Sequence, residues 1–307
     1  MKVSCWNSKT TKYNLDKMDF SKFSFDKDKL IAGSKLHTFE HRKRYPRTFF
    51  DRENFEAYEK IFSNVEIVDV HAHIGHDKDG HGINEQNFIN QMKITHINKA
   101  IVFPLNEPST HNFSKLNDRI YEFYKKYPAS IIPFFRLNPK TKWRKEYEKR
   151  VLQGFMGIKL HPRSQDFGIA SYHVRKIYEM AEKNRLPILI HAGFGLENIA
   201  DDIKKVVNRF SKLRLILGHS AFVDFENTVK AIGKNDNVLF DTSTLRIFDL
   251  LNLMNTLEYT KIVFGSDIPY YDFDLALEMV VDTAIICNKN PSQIKAMLGG
   301  NILKWFK

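Results

Sequence analysis

Two histidines separated by one residue, His71 and His73, follow a short apolar run. Residues two apart on a β-strand point to the same face, so we expect both imidazoles to lie side by side. Neutral imidazole is a common ligand of zinc. The pair therefore indicates a metal site, while Asp69, on the same face but deeper, is expected to support the pair without binding the metal.

Two later side chains can complete such a site. His191 follows the apolar run 187–190, and Asp267 comes shortly after the run 261–264. A catalytic zinc site typically has about three protein ligands and keeps one position for water or substrate. These two residues would add a third imidazole and a carboxylate to the histidine pair.

Eight apolar runs, which start about 24–33 residues apart, provide strands that would position these residues. Most are apolar throughout, as strands buried on both faces require, and stretches of helical periodicity such as 115–126 and 172–183 separate them. Eight such units in about 245 residues predict an α/β fold, a (β/α)8 TIM barrel. The runs are 66–70, 99–103, 131–135, 156–160, 187–190, 213–217, 238–240 and 261–264.

The barrel prediction also says where the chemistry should lie, because TIM-barrel active sites lie at the C-terminal ends of the strands. Five of the 12 histidines follow predicted strands. A doubly wound open sheet is the alternative fold, but it would require a G-x-G-x-x-G phosphate loop after an early strand, and the sequence has none there. The five histidines are His71, His73, His161, His191 and His219.

The net charge of +11 over 307 residues is concentrated at the front of the chain, since residues 1–60 hold 14 Lys+Arg and 9 Asp+Glu. We predict a basic N-terminal extension at 1–64 and a TIM-barrel domain at 65–307. The Phe residues of the extension are expected to pack on the barrel, and contact with a nucleic acid or an anionic surface is the alternative. No nucleic-acid recognition motif occurs, so no such partner is expected.

The two cysteines, Cys5 and Cys287, are too few for a disulfide framework and indicate a reducing compartment. No apolar run approaches the ~18 residues of a membrane helix, and the first residues lack the apolar stretch of a signal peptide. We therefore predict a soluble, cytoplasmic protein with no membrane contact.

From about residue 66 onward the chain resembles the amidohydrolase superfamily. It is most similar to the amidohydrolase-related branch, which contains metal-dependent hydrolases and decarboxylases similar to aminocarboxymuconate semialdehyde decarboxylase. The matching motifs follow the family's order over about four fifths of the chain. They are DVHAHIG at 69–75, GIKLHP at 157–162, LIHAG at 189–193, LGHS at 217–220, FGSDIP at 264–269 and LGGN at 298–301.

The resemblance implies one divalent metal, zinc, bound by His71, His73, His191 and Asp267. Asp267 would also act as general base and then as general acid. In similar enzymes the histidine at the position of His219 contacts the metal-bound water or the substrate oxygen, so His219 is assigned to orientation or proton transfer. A core histidine bonded to the backbone is the alternative for His219.

Four further residues are predicted to bind substrate. Lys159 and His161 share a face at the end of the fourth predicted strand, and Arg136 and Arg163 follow the third and fourth. A guanidinium can hold a carboxylate with two hydrogen bonds, which suits an anionic substrate, and structural ion pairs are the alternative. In one branch of the superfamily a carboxylated lysine on this strand bridges two metals, which is the alternative for Lys159.

Three functions follow from these residues. The first is a metal-dependent hydrolase of a small, anionic amide, ester or lactone. The second is a metal-dependent, non-oxidative decarboxylase of a small carboxylic acid, and the third is a non-catalytic binding protein. The expected ligands are all present, which favours an enzyme, and a homodimer is expected by analogy with similar proteins.

Overall fold

A computed structural model of the protein describes residues 60–106 and 112–306. The predicted extension, residues 1–64, lies outside the described residues except for its last five positions, so its boundary with the barrel stays a prediction. Within the described part of the chain, no helix is both long and apolar enough to cross a membrane.

Nine strands form one sheet in the order β2-β1-β3-β4-β5-β6-β7-β8-β9. The strands are β1 Val68–His76, β2 Gly82–Ile83, β3 Lys99–Pro104, β4 Ile131–Arg136, β5 Gly157–Leu160, β6 Ile188–His191, β7 Leu215–Gly218, β8 Val238–Asp241 and β9 Ile262–Val263. Neighbours are parallel, except that β2 pairs antiparallel with β1. The eight parallel strands match the eight apolar runs, and only β2 was not predicted.

Backbone hydrogen bonds between β1 and the residues after β9 form a seam that closes the sheet. The Asp267 N–H donates to the His71 carbonyl oxygen at 2.7 Å, and the His73 N–H donates to the Ile268 carbonyl oxygen at 2.9 Å. The predicted (β/α)8 TIM barrel is confirmed. The seam also fixes the backbone of Asp267 directly beside that of His71.

A β-bulge interrupts β1, because its register against β3 shifts within residues 69–72. Val70 packs into the apolar cluster inside the barrel, yet His71 and His73 also face the barrel cavity. A bulge adds one residue to a strand and breaks the alternation of faces. The expectation that Asp69 shares the inward face of the two histidines was therefore wrong.

Helices connect the strands, and most of them cover the outside of the barrel. They are α1 Glu85–Ile94, α2 Ser114–Lys126, α3 Arg144–Leu152, α4 Pro162–Gln165, α5 Tyr172–Lys183, α6 Ile199–Arg209, α7 Phe225–Ile232, α8 Ile247–Thr256, α9 Phe273–Ile286, α10 Pro291–Lys295 and α11 Asn301–Leu303. Buried residues recur every three or four positions, as Ile199, Ile203 and Val206 do in α6, because only one stripe of each helix meets the sheet. The predicted helices 115–126 and 172–183 correspond to α2 and α5.

Apolar side chains form two clusters, one between sheet and helices and one inside the barrel. The inner cluster includes Ile101, Phe134, Leu189 and Ile216. These residues precede the strand ends, so they fill the N-terminal part of the interior. Polar side chains occupy the C-terminal part, where the cavity opens.

Candidate active site

A cavity of about 770 Å³ opens at the C-terminal ends of the barrel strands. Its walls include all nine side chains that the sequence predicted for the site, as the position of active sites in TIM barrels leads one to expect. The structure thus brings the predicted residues together, while their individual roles stay predictions. The nine are His71, His73, Arg136, Lys159, His161, Arg163, His191, His219 and Asp267.

Asp267 lies between the two histidines of β1. Its Oδ1 is 3.2 Å from His71 Nε2 and 3.0 Å from His73 Nε2, and all three residues are buried. Two imidazole nitrogens and one carboxylate oxygen are donors that zinc accepts. The three side chains therefore form the centre of the candidate metal site.

His219 lies closer to this centre than His191 does, which differs from the prediction. Among the described residues, ligand atoms of His71, His219 and Asp267 lie within 4.8 Å of one another. His191 Nδ1 is 3.0 Å from His219 Nε2, and its ring stacks on His161 with 4.0 Å between centroids. The structure thus places His219 in the close group, whereas the sequence predicted His191 as the ligand and His219 for proton transfer.

Lys159 is buried in the same centre. Its Nζ is 2.9 Å from His71 Nε2 and 4.5 Å from the centroid of the Phe103 ring. Burial lowers the pKa of the Lys159 amine to about 7, although the nearby Asp267 carboxylate acts in the opposite direction. The amine beside His71 can therefore gain or lose a proton near neutral pH.

Arg136, the last residue of β4, is buried as well. It donates to the Pro104 carbonyl oxygen at 3.0 Å and to Ser164 Oγ at 3.4 Å, and it lies 4.5 Å from the centroid of the Phe113 ring. Its buried Nε has no hydrogen-bond partner among the described residues, none of whose carboxylates pairs with it. Desolvation lowers the pKa of the Arg136 guanidinium to about 9, so the site bears the cost of an uncompensated cation.

Arg163 and His161 are positioned by the short helix α4. His161 precedes the helix and accepts a hydrogen bond at Nδ1 from the Ser164 N–H at 3.2 Å. The exposed Arg163 side chain crosses Gly195, where a Cβ atom would come within 2.6 Å of Arg163 Cδ. The glycine thus lets the arginine reach the rim of the cavity.

The sequence matches the family model described as Amidohydrolase over residues 68–307. The chain belongs to this amidohydrolase family. Its members are enzymes that act on small molecules and typically bind a divalent metal, which argues against a non-catalytic binding protein. Among curated proteins, none matches the chain in sequence.

Solved structures share the fold of this amidohydrolase at low sequence identity. An uncharacterised TIM-barrel protein from Bordetella bronchiseptica has a TM-score of 0.62 and 14% identity, covering 79% of this chain and 98% of that one. A 2,6-dihydroxybenzoate decarboxylase in complex with 2,6-dihydroxybenzoate has a TM-score of 0.61 and 14% identity, covering 79% of this chain and 98% of that one. The 5-carboxyvanillate decarboxylase from Sphingomonas paucimobilis has a TM-score of 0.59 and 12% identity, covering 79% of this chain and 99% of that one. At these identities the likeness shows the fold.

Burial keeps the imidazoles of the amidohydrolase site neutral at neutral pH. Desolvation lowers the pKa of His71, His73 and His191 well below the ordinary value, and the nearby charge of Lys159 lowers it further. A neutral imidazole keeps the lone pair that a metal ion requires. The donor set and its charge state therefore fit a divalent ion.

Two residues at the end of β8 contact the site and were missed from the sequence. Asp241 is fully buried, with Oδ2 2.6 Å from His71 Nδ1, and burial raises the pKa of its carboxyl to about 7. Ser243 Oγ lies 3.0 Å from Nδ1 of both His71 and His219. The feature of the sequence that could have identified these two residues is the run of polar residues directly after the predicted strand 238–240.

Asp69 supports the backbone at the seam. Its Oδ1 accepts hydrogen bonds from the His71 N–H at 2.7 Å and the Ser266 N–H at 3.2 Å, and burial raises the pKa of the carboxyl to about 7. One carboxylate thus ties β1 to the segment that carries Asp267. This contact agrees with the supporting role expected of Asp69.

Tyr270, also missed from the sequence, links two walls of the cavity. Its hydroxyl donates a hydrogen bond to Asp77, which follows β1, and its ring centroid lies 6.1 Å from that of His73. Both Tyr270 and Asp77 line the cavity. The loop after β1 is therefore tied to the segment after Asp267 across the mouth of the barrel.

Proposed function

We propose that this amidohydrolase is a zinc-dependent hydrolase of a small, anionic amide, ester or lactone. The observation that carries the proposal is the convergence of His71 Nε2 and His73 Nε2 on Asp267 Oδ1, at 3.2 and 3.0 Å. His191 would complete a set of four ligands on one ion. Such an ion, when bound, lowers the pKa of water to about 7 and polarises a carbonyl oxygen.

The residues of the site would handle the protons of the reaction. Asp267 would take up a proton from the attacking water at a carboxylate oxygen and return it to the leaving group, as general base and then general acid. His219 would orient the substrate oxygen, since its ring is held between Ser243 on one side and His191 on the other.

The substrate would be anionic because a buried guanidinium and a buried amine lie inside the cavity. Arg136 has no carboxylate partner among the described residues, and Lys159 lies at the centre of the site. A substrate carboxylate would compensate the buried guanidinium with charge-assisted hydrogen bonds. His161 and Arg163 would form the neighbouring wall.

A decarboxylase is the second candidate, and the same two groups favour it. With Lys159 and Arg136 near one another in the wall, a carboxylate could be held while its C–C bond breaks, CO2 leaves and a proton is added to the remaining carbon. Two proteins of the same fold are a 2,6-dihydroxybenzoate decarboxylase and a 5-carboxyvanillate decarboxylase. Hydrolysis stays the first candidate because no motif adds a group specific to decarboxylation.

The metal content of purified protein tests the site first. We expect about one divalent ion per chain, bound zinc, and its loss in His71→Ala. His173→Ala is the matched control, since His173 is exposed on α5, and it should keep the ion. Absence of metal from the wild type after zinc loading would overturn the proposal, and two ions with a carboxylated Lys159 would establish the two-metal alternative.

A substrate panel separates the two reactions. Zinc-loaded protein is assayed with lactones, amides, esters and aromatic acids, with hydrolysis followed by acid release and decarboxylation by CO2 release. We expect hydrolysis of at least one anionic ester, amide or lactone, absent in His71→Ala. Release of CO2 without hydrolysis would establish the decarboxylase in its place. A cytoplasmic location and a homodimer remain proposals from the sequence.

A further inference from the structure

The segment 241–244 at the end of β8 holds the outer nitrogen of two site histidines. Asp241 Oδ2 is 2.6 Å from His71 Nδ1. The Ser243 carbonyl oxygen and Thr244 Oγ1 are 3.2 and 2.9 Å from His219 Nδ1, and Ser243 Oγ is 3.0 Å from Nδ1 of both rings. None of these residues belongs to the predicted ligand set.

The inner nitrogens of the same rings face other partners. His71 Nε2 lies 3.2 Å from Asp267 Oδ1 and 2.9 Å from Lys159 Nζ. His219 Nε2 lies 3.0 Å from His191 Nδ1. Each ring therefore has its Nδ1 edge against segment 241–244 and its Nε2 edge toward the cavity.

The chemistry of the partners decides which nitrogen carries hydrogen. With Asp241 ionised and Lys159 protonated, the carboxylate only accepts and the ammonium only donates hydrogen bonds, so His71 Nδ1 donates to Asp241 and His71 Nε2 accepts from Lys159. In a neutral imidazole the other nitrogen then has the lone pair. His71 would thus present Nε2 as an acceptor or metal ligand.

Packing fixes the His71 ring and Asp241 in this relation. A Cβ atom on Gly265 would come 3.0 Å from His71 Cβ and 3.1 Å from Asp241 Oδ1, and one on Gly218 would come 3.2 Å from His71 Cε1. The Asp241 carboxylate also accepts a hydrogen bond from the Ser243 N–H. The ring is enclosed on two sides, and the carboxylate that orients it is itself held.

We propose that Asp241, with Ser243, is a positioning group that fixes the Nδ1–H form of His71 and so presents its Nε2 atom to a divalent metal. The consequence for metal binding rests on the proposed function, and the tautomer assignment does not. Partners of this kind on metal-binding histidines typically change metal affinity about 10–100-fold when they are removed.

Zinc affinity, measured by competition with a fluorescent chelator, tests the consequence. Asp241→Asn and Asp241→Ala should each bind zinc about 10–100-fold more weakly than wild type. Thr242→Val is the matched control, because the Thr242 hydroxyl contacts the Gly265 backbone and no histidine, and its zinc affinity should equal that of wild type. Equal affinity in wild type, Asp241→Asn and Asp241→Ala would overturn the role in metal binding.

The tautomers themselves are read from imidazole 15N NMR spectra of the metal-free protein, with His71 assigned through His71→Gln. We expect Nδ1–H on His71 in wild type and in Thr242→Val, and a mixture with Nε2–H in Asp241→Ala. Nε2–H on His71 in wild type would overturn the proposal. If the protein binds no zinc, the proposed function fails, but this spectrum still decides the positioning role.

Discussion

Two buried arginines, one at the barrel mouth and one among the helices, have opposite surroundings. Arg150 of α3 donates to Asp118 Oδ1 at 2.6 Å and to the Ser114 carbonyl oxygen at 2.7 Å, and it also pairs with Glu146. Arg136 has a carbonyl and a hydroxyl partner and no described carboxylate. The two side chains are 0% and 1% exposed, so burial does not distinguish them.

The difference shows which charges serve the fold and which serve a ligand. Removing a charge from water costs several kcal/mol unless the protein compensates it. The chain supplies carboxylates to Arg150 and supplies none to Arg136 from its described residues. We infer that the Arg150 guanidinium stabilises the helices, while the Arg136 guanidinium is available to bind an anion from outside the chain.

The largest expected effect is on catalysis, at the barrel mouth. Asp267→Asn should lower kcat about 10²–10⁴-fold, because an amide cannot take up the proton. The free energy of unfolding of the metal-free protein should stay equal or rise, since burial raises the pKa of the Asp267 carboxyl and the amide is neutral. Steady-state kinetics and urea unfolding measure both. Retention of wild-type kcat would remove Asp267 from the proton transfers.

The next effect is on stability, among the helices. Arg150→Met should lower the free energy of unfolding by about 3 kcal/mol, because it leaves Glu146 without its charged partner. The kcat and KM of the folded variant should match wild type. Lys145→Met, an exposed change on the same helix, should cost less than about 0.5 kcal/mol. Equal losses in the two variants would mean that Arg150 does not stabilise the helices.

Arg136→Met should give the reverse pattern. We expect KM for an anionic substrate to rise about 10–100-fold, which corresponds to the loss of about 1.4–2.7 kcal/mol of charged hydrogen bonding, with kcat little changed. The free energy of unfolding should stay equal or rise, because an uncompensated buried cation is removed. An unchanged KM together with a lower stability would place Arg136 in the same class as Arg150.

The smallest expected effect is on the free energy of unfolding and concerns Asp118, a carboxylate partner of Arg150. Partial burial raises the pKa of the Asp118 carboxyl, but hydrogen bonds from Lys149 and Arg150 outweigh it and hold the pKa below its ordinary value. Its stabilisation is present above the unfolded pKa of about 3.9 and is lost as pH falls through the lower folded value.

Asp118→Asn should therefore lower stability by less than about 1 kcal/mol at neutral pH, because the carboxyl is half exposed. Urea unfolding between about pH 2 and 7 should show the two proteins converging at the acid end. A difference that stays constant with pH would contradict the assigned ion pair.

The barrel was predictable because each parallel strand is a separate apolar run and the runs recur at similar intervals. The site was predictable to the same extent, since position at a strand end is a property of the linear sequence. His191 follows an apolar run in the sequence and lies at the cavity in the structure. The strands and the residues at their ends can both be predicted from short stretches of the sequence.

Contacts across the barrel were not predictable in this way. The 2.6 Å contact between Asp241 and His71 joins residues 170 positions apart, and the polar residues after 238–240 read equally well as a turn. The bulge in β1 likewise leaves no mark in the alternation of residue types, so Asp69 was placed on the wrong face. Side-chain distances across a closed barrel depend on strand stagger, which spacing along the chain does not encode.

The seam also determines when the site can exist during protein synthesis. His73 and Asp267 are 194 residues apart, and ribosomes add about 5–20 residues per second, so about 10–40 s separate their appearance. During that interval the histidines of β1 have emerged while the carboxylate beside them has not yet been made. If the proposed site binds a metal, capture by the complete site would thus be a late event, which follows closure of the barrel and does not guide the folding of its first strands.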